Sequence, residues 1–97
     1  IRQKAAVFIH GCYWHRHPGC KYAYTPKSNP EFWLPKLEGN RKRDEKVIQQ
    51  LNVQGIRVLI IWECTVRAMM KNEELRENVL GEILNFLYER DDVIMNI

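Results

Sequence analysis

The stretch that decides the fold is AAVFIHGCYWHRHPGC, residues Ala5 to Cys20. Its first five residues are a continuous apolar run, which predicts a short β-strand buried on both faces. HGCYWHRHPGC follows at once and holds two cysteines, three histidines and two adjacent aromatic residues in eleven positions. A packed core does not require that composition. We therefore expect a strand that ends in a loop carrying chemistry.

A second apolar run, RVLIIW from Arg57 to Trp62, predicts another buried strand, which ends beside Glu63 and Cys64. Helical sequence separates the two runs, and a strand–helix–strand unit is a right-handed crossover with parallel strands. Parallel strands have their carboxyl ends at the same edge of a sheet. We therefore expect Cys64 to lie beside the loop that starts at His10.

The three cysteines favour a metal site, because an odd number cannot pair evenly and a reducing compartment disfavours disulfides. Cys12 and Cys20 bracket His17 with four and two intervening residues, a spacing that suits thiolate and imidazole ligands around zinc. With Cys64 they form a closed tetrahedral Cys₃His site of the structural kind. The alternative is that Cys64 is a buried or reactive thiol unrelated to the other two.

Between the strands, the sequence predicts two helices separated by a break at Pro35 and Gly39. The first begins near Pro30, with Ser28 or Asn29 as its cap. The second runs from about Asn40 to Gln54, and Gly55 suits the left-handed position that ends it. A last packing helix is predicted from Glu73 to Glu89. The side chains expected to point inward from the first helix are Phe32, Trp33 and Leu37.

The 97 residues are expected to form a single domain, residues 1–97, and their composition is that of a globular protein. No apolar run approaches the ~20 residues of a membrane helix, and there is no signal peptide, so we expect a cytoplasmic protein. The formal net charge is +3, but residues 1–46 carry ten basic against four acidic side chains. That half favours a polyanionic partner through phosphate contacts, although a solvated surface can look the same.

Two histidines and one carboxylate are candidates for proton transfer. His10 and His15 titrate near neutrality and could serve as a general base or hold a metal-bound water. The alternatives are a supporting hydrogen bond from His10 and a surface contact from His15. Asp44 is either a favourable acid near a helix N-terminus or the partner that orients an imidazole. Tyr13 and Trp14 are better suited to wedging between base pairs than to core packing.

The segments VFIHGCYWHRHPGC, TPKSNPEFW, NRKRD and RVLIIWEC occur in this order over residues 5–66. In these segments the chain resembles the very short patch repair (Vsr-type) DNA mismatch endonucleases. The resemblance implies a restriction-endonuclease-like α/β/α fold with a mixed central sheet. It also implies Mg-dependent hydrolysis that nicks one strand of double-stranded DNA next to a T·G mismatch. Mismatch-repair proteins are the further partners implied, and the bacterial nucleoid is the implied location.

The resemblance also implies roles for individual residues. His15 matches the general base, Asp44 the carboxylate that orients it, and His10 a histidine that serves the metal-bound water and phosphate. Ile9 sits where the family binds magnesium through a backbone carbonyl. The aromatics that intercalate beside the mismatch match Tyr13 and Trp14. The structural zinc ligands match Cys12, His17, Cys20 and Cys64.

One element of the family is expected to lie outside this sequence. The magnesium-binding aspartate belongs to the strand preceding the one that ends near Ile9, at a position before Ile1. We therefore expect an N-terminally truncated endonuclease domain that does not cleave DNA alone. The alternatives are a zinc-stabilised, DNA-binding pseudo-nuclease and a related restriction or homing-type nuclease with another target.

Overall fold

The computed structural model describes residues 4–97, which form an α/β fold with a small three-stranded sheet. The strands lie in the order β1-β2-β3, and both neighbouring pairs are parallel, whereas a mixed sheet was expected. None of the helices in residues 4–97 is long and apolar enough to cross a membrane. The elements in chain order are β1 (Ala5–His10), α1 (Pro30–Val53), β2 (Arg57–Trp62), α2 (Glu63–Lys71), α3 (Glu73–Tyr88) and β3 (Ile94–Asn96).

Strand β2 is the centre of the core, as its apolar run predicts, and all six of its residues are buried. Because side chains alternate along a strand, β2 serves both faces of the sheet. Val58, Ile60 and Trp62 face α1, where Ile48 and Leu51 pack against them. The side chains on the other face, Leu59 and Ile61, pack with Phe86, Ile83, Leu87 and Val66 of α3 and α2. The result is helix, sheet and helix in three layers.

The expectation that β1 is buried on both faces is wrong. Val7 and Ile9 are 48% and 69% exposed, whereas Phe8 is half-buried and His10 is buried. Val7 pairs with Leu59 in the parallel register, so both side chains lie on the α2–α3 face. Among residues 4–97, those helices cover β2 but leave β1 at the edge of the sheet. Side chains along β1 therefore alternate between a face that packs against the core and a face that is exposed.

The expected helix break is also wrong, because α1 continues through Pro35 and Gly39 for 24 residues. Pro35 removes one backbone donor, and an interior proline costs about 3 kcal/mol. Packing along the same helix offsets that cost, since Leu37 is buried and Ile48 packs against the core. Phe32, in the first turn of α1, is 54% exposed, so it does not point inward as expected.

The end of α1 confirms the role expected for Gly55, which has φ +80°. The Gly55 N–H donates to the Asn52 carbonyl at 3.0 Å, and the Ile56 N–H donates to the Leu51 carbonyl at 2.9 Å. This pair of bonds is the Schellman motif, which needs a left-handed residue at its centre. The turn leads the chain directly into β2.

Buried Arg57, at the start of β2, ties the last helix to the sheet. Its Nη2 donates to the Phe86 carbonyl at 2.7 Å and its Nε to the Asp92 carbonyl at 3.0 Å. The guanidinium also lies 4.2 Å from the Phe86 ring centroid. Helix α3, expected over Glu73–Glu89, ends at Tyr88. Helix α2 and strand β3 were not expected from the sequence.

Candidate functional site

The loop after β1 (residues 11–20, the cysteine–histidine loop) is folded tightly on itself. The His15 N–H donates to the Gly11 carbonyl and the His17 N–H to the Cys12 carbonyl, each at 3.0 Å. Arg16 adopts φ +53°, a left-handed conformation that is uncommon for a residue other than glycine. Its guanidinium donates to three carbonyls at 3.2–3.4 Å, those of Tyr13, Ala23 and Tyr24.

The parallel strands bring Cys64 to this loop, as expected from the topology. Cys12 Sγ and Cys64 Sγ lie 3.7 and 3.5 Å from His17 Nδ1. With Cys20, these residues (the Cys–His cluster) present four ligand atoms that all lie within 4.8 Å of one another. All three cysteines are free thiols. This cluster could therefore hold a metal ion.

The start of α2 supports the Cys–His cluster through two backbone N–H groups. Cys64 N–H donates to Cys12 Sγ at 3.3 Å, and Cys12 N–H donates to Glu63 Oε1 at 3.4 Å. Glu63 therefore joins the start of α2 to the cysteine–histidine loop. Burial raises the pKa of the Cys12 thiol to about 11 and lowers the pKa of His17 from its usual value. The His17 imidazole is thus neutral at neutral pH, as a metal ligand must be.

His10, His15 and Asp44 form a second group (the His–Asp cluster) next to the first. His15 Nδ1 lies 2.5 Å from Asp44 Oδ2, and both side chains are partly exposed. The imidazole of His10 stacks on that of His15 with centroids 4.0 Å apart and planes 11° from parallel. Burial, and then the nearby His15, lower the pKa of His10 although Asp44 opposes them. His10 is therefore held as the neutral imidazole.

Asp44 lies in the middle of α1, because the helix begins at Pro30 rather than near Asn40. The expectation that Asp44 is an acid near a helix N-terminus is therefore wrong. The carboxylate of Asp44 instead contacts the imidazole of His15. A carboxylate at Nδ1 selects the tautomer with the proton on that nitrogen and leaves Nε2 free to accept one. A cavity of about 450 Å³ adjoins both clusters. Arg41, also at this cavity, is paired with Glu38 and Glu45.

Tyr13 and Trp14 differ in their exposure. Trp14 is 54% exposed, whereas Tyr13 is half-buried between the Trp14 and Tyr24 rings, with centroids 5.1 and 4.9 Å away. Asn40 Nδ2 donates to the Trp14 carbonyl at 3.3 Å, which ties the loop to α1. Trp14 is therefore an outward-facing aromatic on a fixed backbone.

Trp62 and Asn96 connect the two clusters, and the sequence did not reveal this role. Trp62 stacks on His17 and meets His10 edge-on, with centroids 4.2 and 5.3 Å away. Its Nε1–H donates to Asn96 Oδ1 at 3.0 Å. A strand-end tryptophan carries no sequence signal for this arrangement, which depends on β3. Ile9, the last expected site residue, immediately precedes His10 in β1.

Sequence comparison finds curated proteins that are similar to this chain. The chain is 40% identical over 85 residues to the DNA mismatch endonuclease Vsr of Escherichia coli, covering 81% of the chain and 54% of that protein. It is 42% identical over 82 residues to the type II nicking enzyme V.NmeAIP of Neisseria meningitidis, covering 84% and 58%. For V.XorIIP of Xanthomonas oryzae the identity is 37% over 78 residues, covering 80% and 57%.

The chain is thus a homologue of the Vsr-type endonucleases and nicking enzymes, the family that its sequence resembles. It spans little more than half the length of these curated relatives. No protein-family model matches the chain.

Proposed function

We propose that this chain carries the DNA-wedging and proton-transfer residues of a mismatch endonuclease that nicks one strand beside a T·G mismatch. The contact of His15 with Asp44, in the same loop that exposes Trp14, is the observation that carries the proposal. It puts an oriented base one residue from an aromatic that can enter a duplex. A mismatch suits such a wedge because its bases are already poorly stacked.

In this proposal Trp14 enters between base pairs, supported by the half-buried Tyr13 against which it packs. Unstacking a step costs a few kcal/mol, which contacts to the distorted duplex repay. The hydrogen bond from Asn40 to the Trp14 carbonyl keeps the loop backbone from yielding as the indole is pushed into the stack.

His15 is the proposed general base. With its Nδ1–H directed to Asp44, its Nε2 accepts a proton from the water that attacks the phosphodiester. Neutral His10, stacked on His15, would hydrogen-bond to that water or to the phosphate. Asp44 stabilises the imidazolium that His15 becomes.

We propose zinc as the ion of the Cys–His cluster. Tetrahedral zinc with thiolate and imidazole ligands places sulfur and nitrogen roughly 3.6 Å apart, given its bond lengths. The separations of 3.7 and 3.5 Å at His17 Nδ1 fit that geometry. Four protein ligands, Cys12, His17, Cys20 and Cys64, close the coordination sphere, so the ion would be structural.

The described residues do not by themselves fit a magnesium site. Magnesium is bound mainly through one or two carboxylates. Asp44 is the one carboxylate of the His–Asp cluster in residues 4–97, and it is directed to His15. The Ile9 carbonyl is a neutral ligand. We therefore propose that catalytic magnesium needs a further carboxylate and that the chain alone binds DNA without cleaving it.

The wider setting is part of the same proposal. Residues 1–97 would be one domain, belonging to a restriction-endonuclease-like α/β/α fold whose complete sheet is mixed. The protein would act in the bacterial cytoplasm, on nucleoid DNA and together with mismatch-repair proteins. The bacterial relatives support this setting.

Duplex binding tests the proposal. The zinc-loaded chain should bind a labelled duplex containing one T·G pair more tightly than the matched duplex. Trp14→Ala should remove that preference, while Phe32→Ala, a matched change of an exposed aromatic on α1, should keep it. Equal affinity of the wild-type chain for both duplexes would overturn the mismatch proposal.

Nicking of the same duplexes with magnesium tests the second part. We expect no turnover above that of His15→Ala. Turnover by the wild-type chain would show that its own residues complete the metal site.

A further inference from the structure

A second groove, of about 660 Å³, lies between the chain after Cys20 and helix α2, and it contains none of the His–Asp cluster. Lys21, Arg67 and Lys71 bring three exposed cations to it. Lys21 Nζ lies 5.2 Å from the Tyr22 ring centroid, and the Arg67 guanidinium lies 5.0 Å from the same centroid. One aromatic ring thus holds two of the cations at the groove.

The charge of the groove is only partly neutralised. Arg67 pairs with Glu63, with Nη2 and Oε2 3.1 Å apart. Within the part of the chain that the structure describes, Lys21 and Lys71 have no ion-pair partner. Two uncompensated lysines at the rim favour an anionic ligand.

Much of the remaining lining of the groove is apolar. Tyr22 and Ala68 line it together with Met70, whose side chain is 76% exposed. A nucleic-acid backbone has the matching chemistry, since anionic phosphates alternate with weakly polar sugars. An acidic peptide offers carboxylates but no regular apolar spacer between them.

The groove is also continuous with the surface around the wedge. Tyr22 and Arg67 line the groove and also the neighbouring depression, in which Tyr13 and Trp14 lie. A strand held at Trp14 can therefore pass over the Tyr22 ring and reach both lysines.

We propose that this groove binds the sugar–phosphate backbone of DNA beside the point at which Trp14 enters, with Lys21 and Lys71 each contacting a phosphate. The inference rests on the proposed function, because it takes Trp14 as the point that fixes the duplex. It adds a backbone-binding surface on the α2 side, separate from the His–Asp cluster.

The salt dependence of duplex binding tests the inference with single-charge variants. Each phosphate contact contributes about 0.9 to the slope of log affinity against log salt concentration. We expect Lys71→Gln and Lys21→Gln each to lower that slope by about 0.9, equally for T·G and matched duplexes. Lys4→Gln is the control, since the six-residue strand β1 puts Lys4 roughly 20 Å from the loop.

The outcomes separate the two proposals. If wild type prefers the T·G duplex but Lys71→Gln has the slope of Lys4→Gln, the groove does not bind DNA and only this inference fails. A groove that binds an acidic protein segment instead of DNA would also leave the slopes of Lys71→Gln and Lys4→Gln equal. If wild type binds no duplex, the proposed function fails and the inference with it. Equal thermal unfolding midpoints of Lys71→Gln and wild type exclude a folding defect.

Discussion

The indole of Trp62 lies flat against the imidazole of His17, with centroids 4.2 Å apart and planes 8° from parallel. His17 belongs to the Cys–His cluster, and the edge of the same indole meets His10 of the His–Asp cluster. One buried side chain therefore sets the position of an imidazole in each cluster. A metal ion bound by His17 would therefore also restrain the Trp62 indole, against which His10 packs.

The first prediction concerns the hydrogen bond that holds Trp62. Trp62→Phe keeps an aromatic ring but removes the Nε1–H donor and leaves Asn96 Oδ1 without it. Asn96 is exposed, so its amide can turn to water, and the loss is that of one ordinary hydrogen bond. Such a bond contributes about 0.5–1.5 kcal/mol, and we expect the free energy of unfolding to fall by at least that amount because the smaller ring also leaves space around buried position 62. Urea unfolding followed by circular dichroism measures it. Trp14→Phe, at an exposed position, should change stability by less than about 0.5 kcal/mol. Equal stabilities of the two variants would contradict the role of Trp62.

The second prediction concerns the tautomer of His15. Asp44→Asn replaces an obligate acceptor by an amide, so the His15 proton should no longer be confined to Nδ1. Imidazole ¹⁵N chemical shifts report which nitrogen is protonated and need no activity. Glu45→Gln, the next residue along, should leave those shifts unchanged. The same tautomer in wild type and Asp44→Asn would refute the orienting role. In a cleavage-competent form, His15→Ala should lower the nicking rate about 10²- to 10⁴-fold.

The third prediction concerns metal content. The folded chain should contain about one zinc ion, and Cys64→Ser should abolish stoichiometric binding because it removes one of four ligands. Elemental analysis after gel filtration measures the ratio, and chelation should lower the unfolding midpoint of wild type but not of the variant. The neighbouring change Thr65→Ala should retain the ion. A Cys64→Ser chain with full zinc content would exclude Cys64 as a ligand.

The fourth prediction is the pH dependence of stability in the metal-free chain. Burial lowers the pKa values of His10 and His17 in the folded state, so the unfolded chain binds more protons as the pH falls through 6.5. Stability is therefore lost on acidification below that value. The raised pKa of Cys12 acts at the other end, since its thiol ionises first in the unfolded chain, above about 9. Cys20 opposes the effect of Cys12, because a hydrogen bond from the Tyr22 backbone lowers the pKa of its thiol in the folded chain. The acid side is therefore the decisive test.

Urea unfolding at a series of pH values tests this, with chelator present throughout. His10→Gln should reduce the loss of stability on the acid side and leave the alkaline side unchanged. A metal-free stability that stays constant from pH 7 to pH 5 would show that neither imidazole is held neutral by the fold.

The sequence predicts the parts of this fold that depend on local pattern. The apolar run of β2 marks a buried strand with the bounds observed, and Gly55 marks the turn before it. The parallel pairing of β1 with β2 then brings Cys64 to Cys12. These predictions succeed because each depends on a few adjacent residues: a continuous apolar run indicates a buried central strand, and a glycine after a helix indicates a left-handed turn.

The sequence fails where tertiary contacts decide. Pro35 has a local cost that favours a break, but packing of the continuous α1 outweighs it. Strand β3 is three residues long, too short for a periodic signal, and Asn96 acquires its partner only when β3 joins β2.

The left-handed Arg16 bears on the rate at which the proposed zinc ion would bind. Its guanidinium bonds to Tyr13, Ala23 and Tyr24 draw both ends of the loop together using the chain's own groups. Much of the chain entropy that must be lost to bring Cys12 and Cys20 together would then be lost before the proposed zinc ion binds. The ion would bind a loop that is already folded on itself, so binding would not wait for a loose segment to assemble. Arg16, which is not among the proposed ligands, would in this way affect the rate of zinc loading.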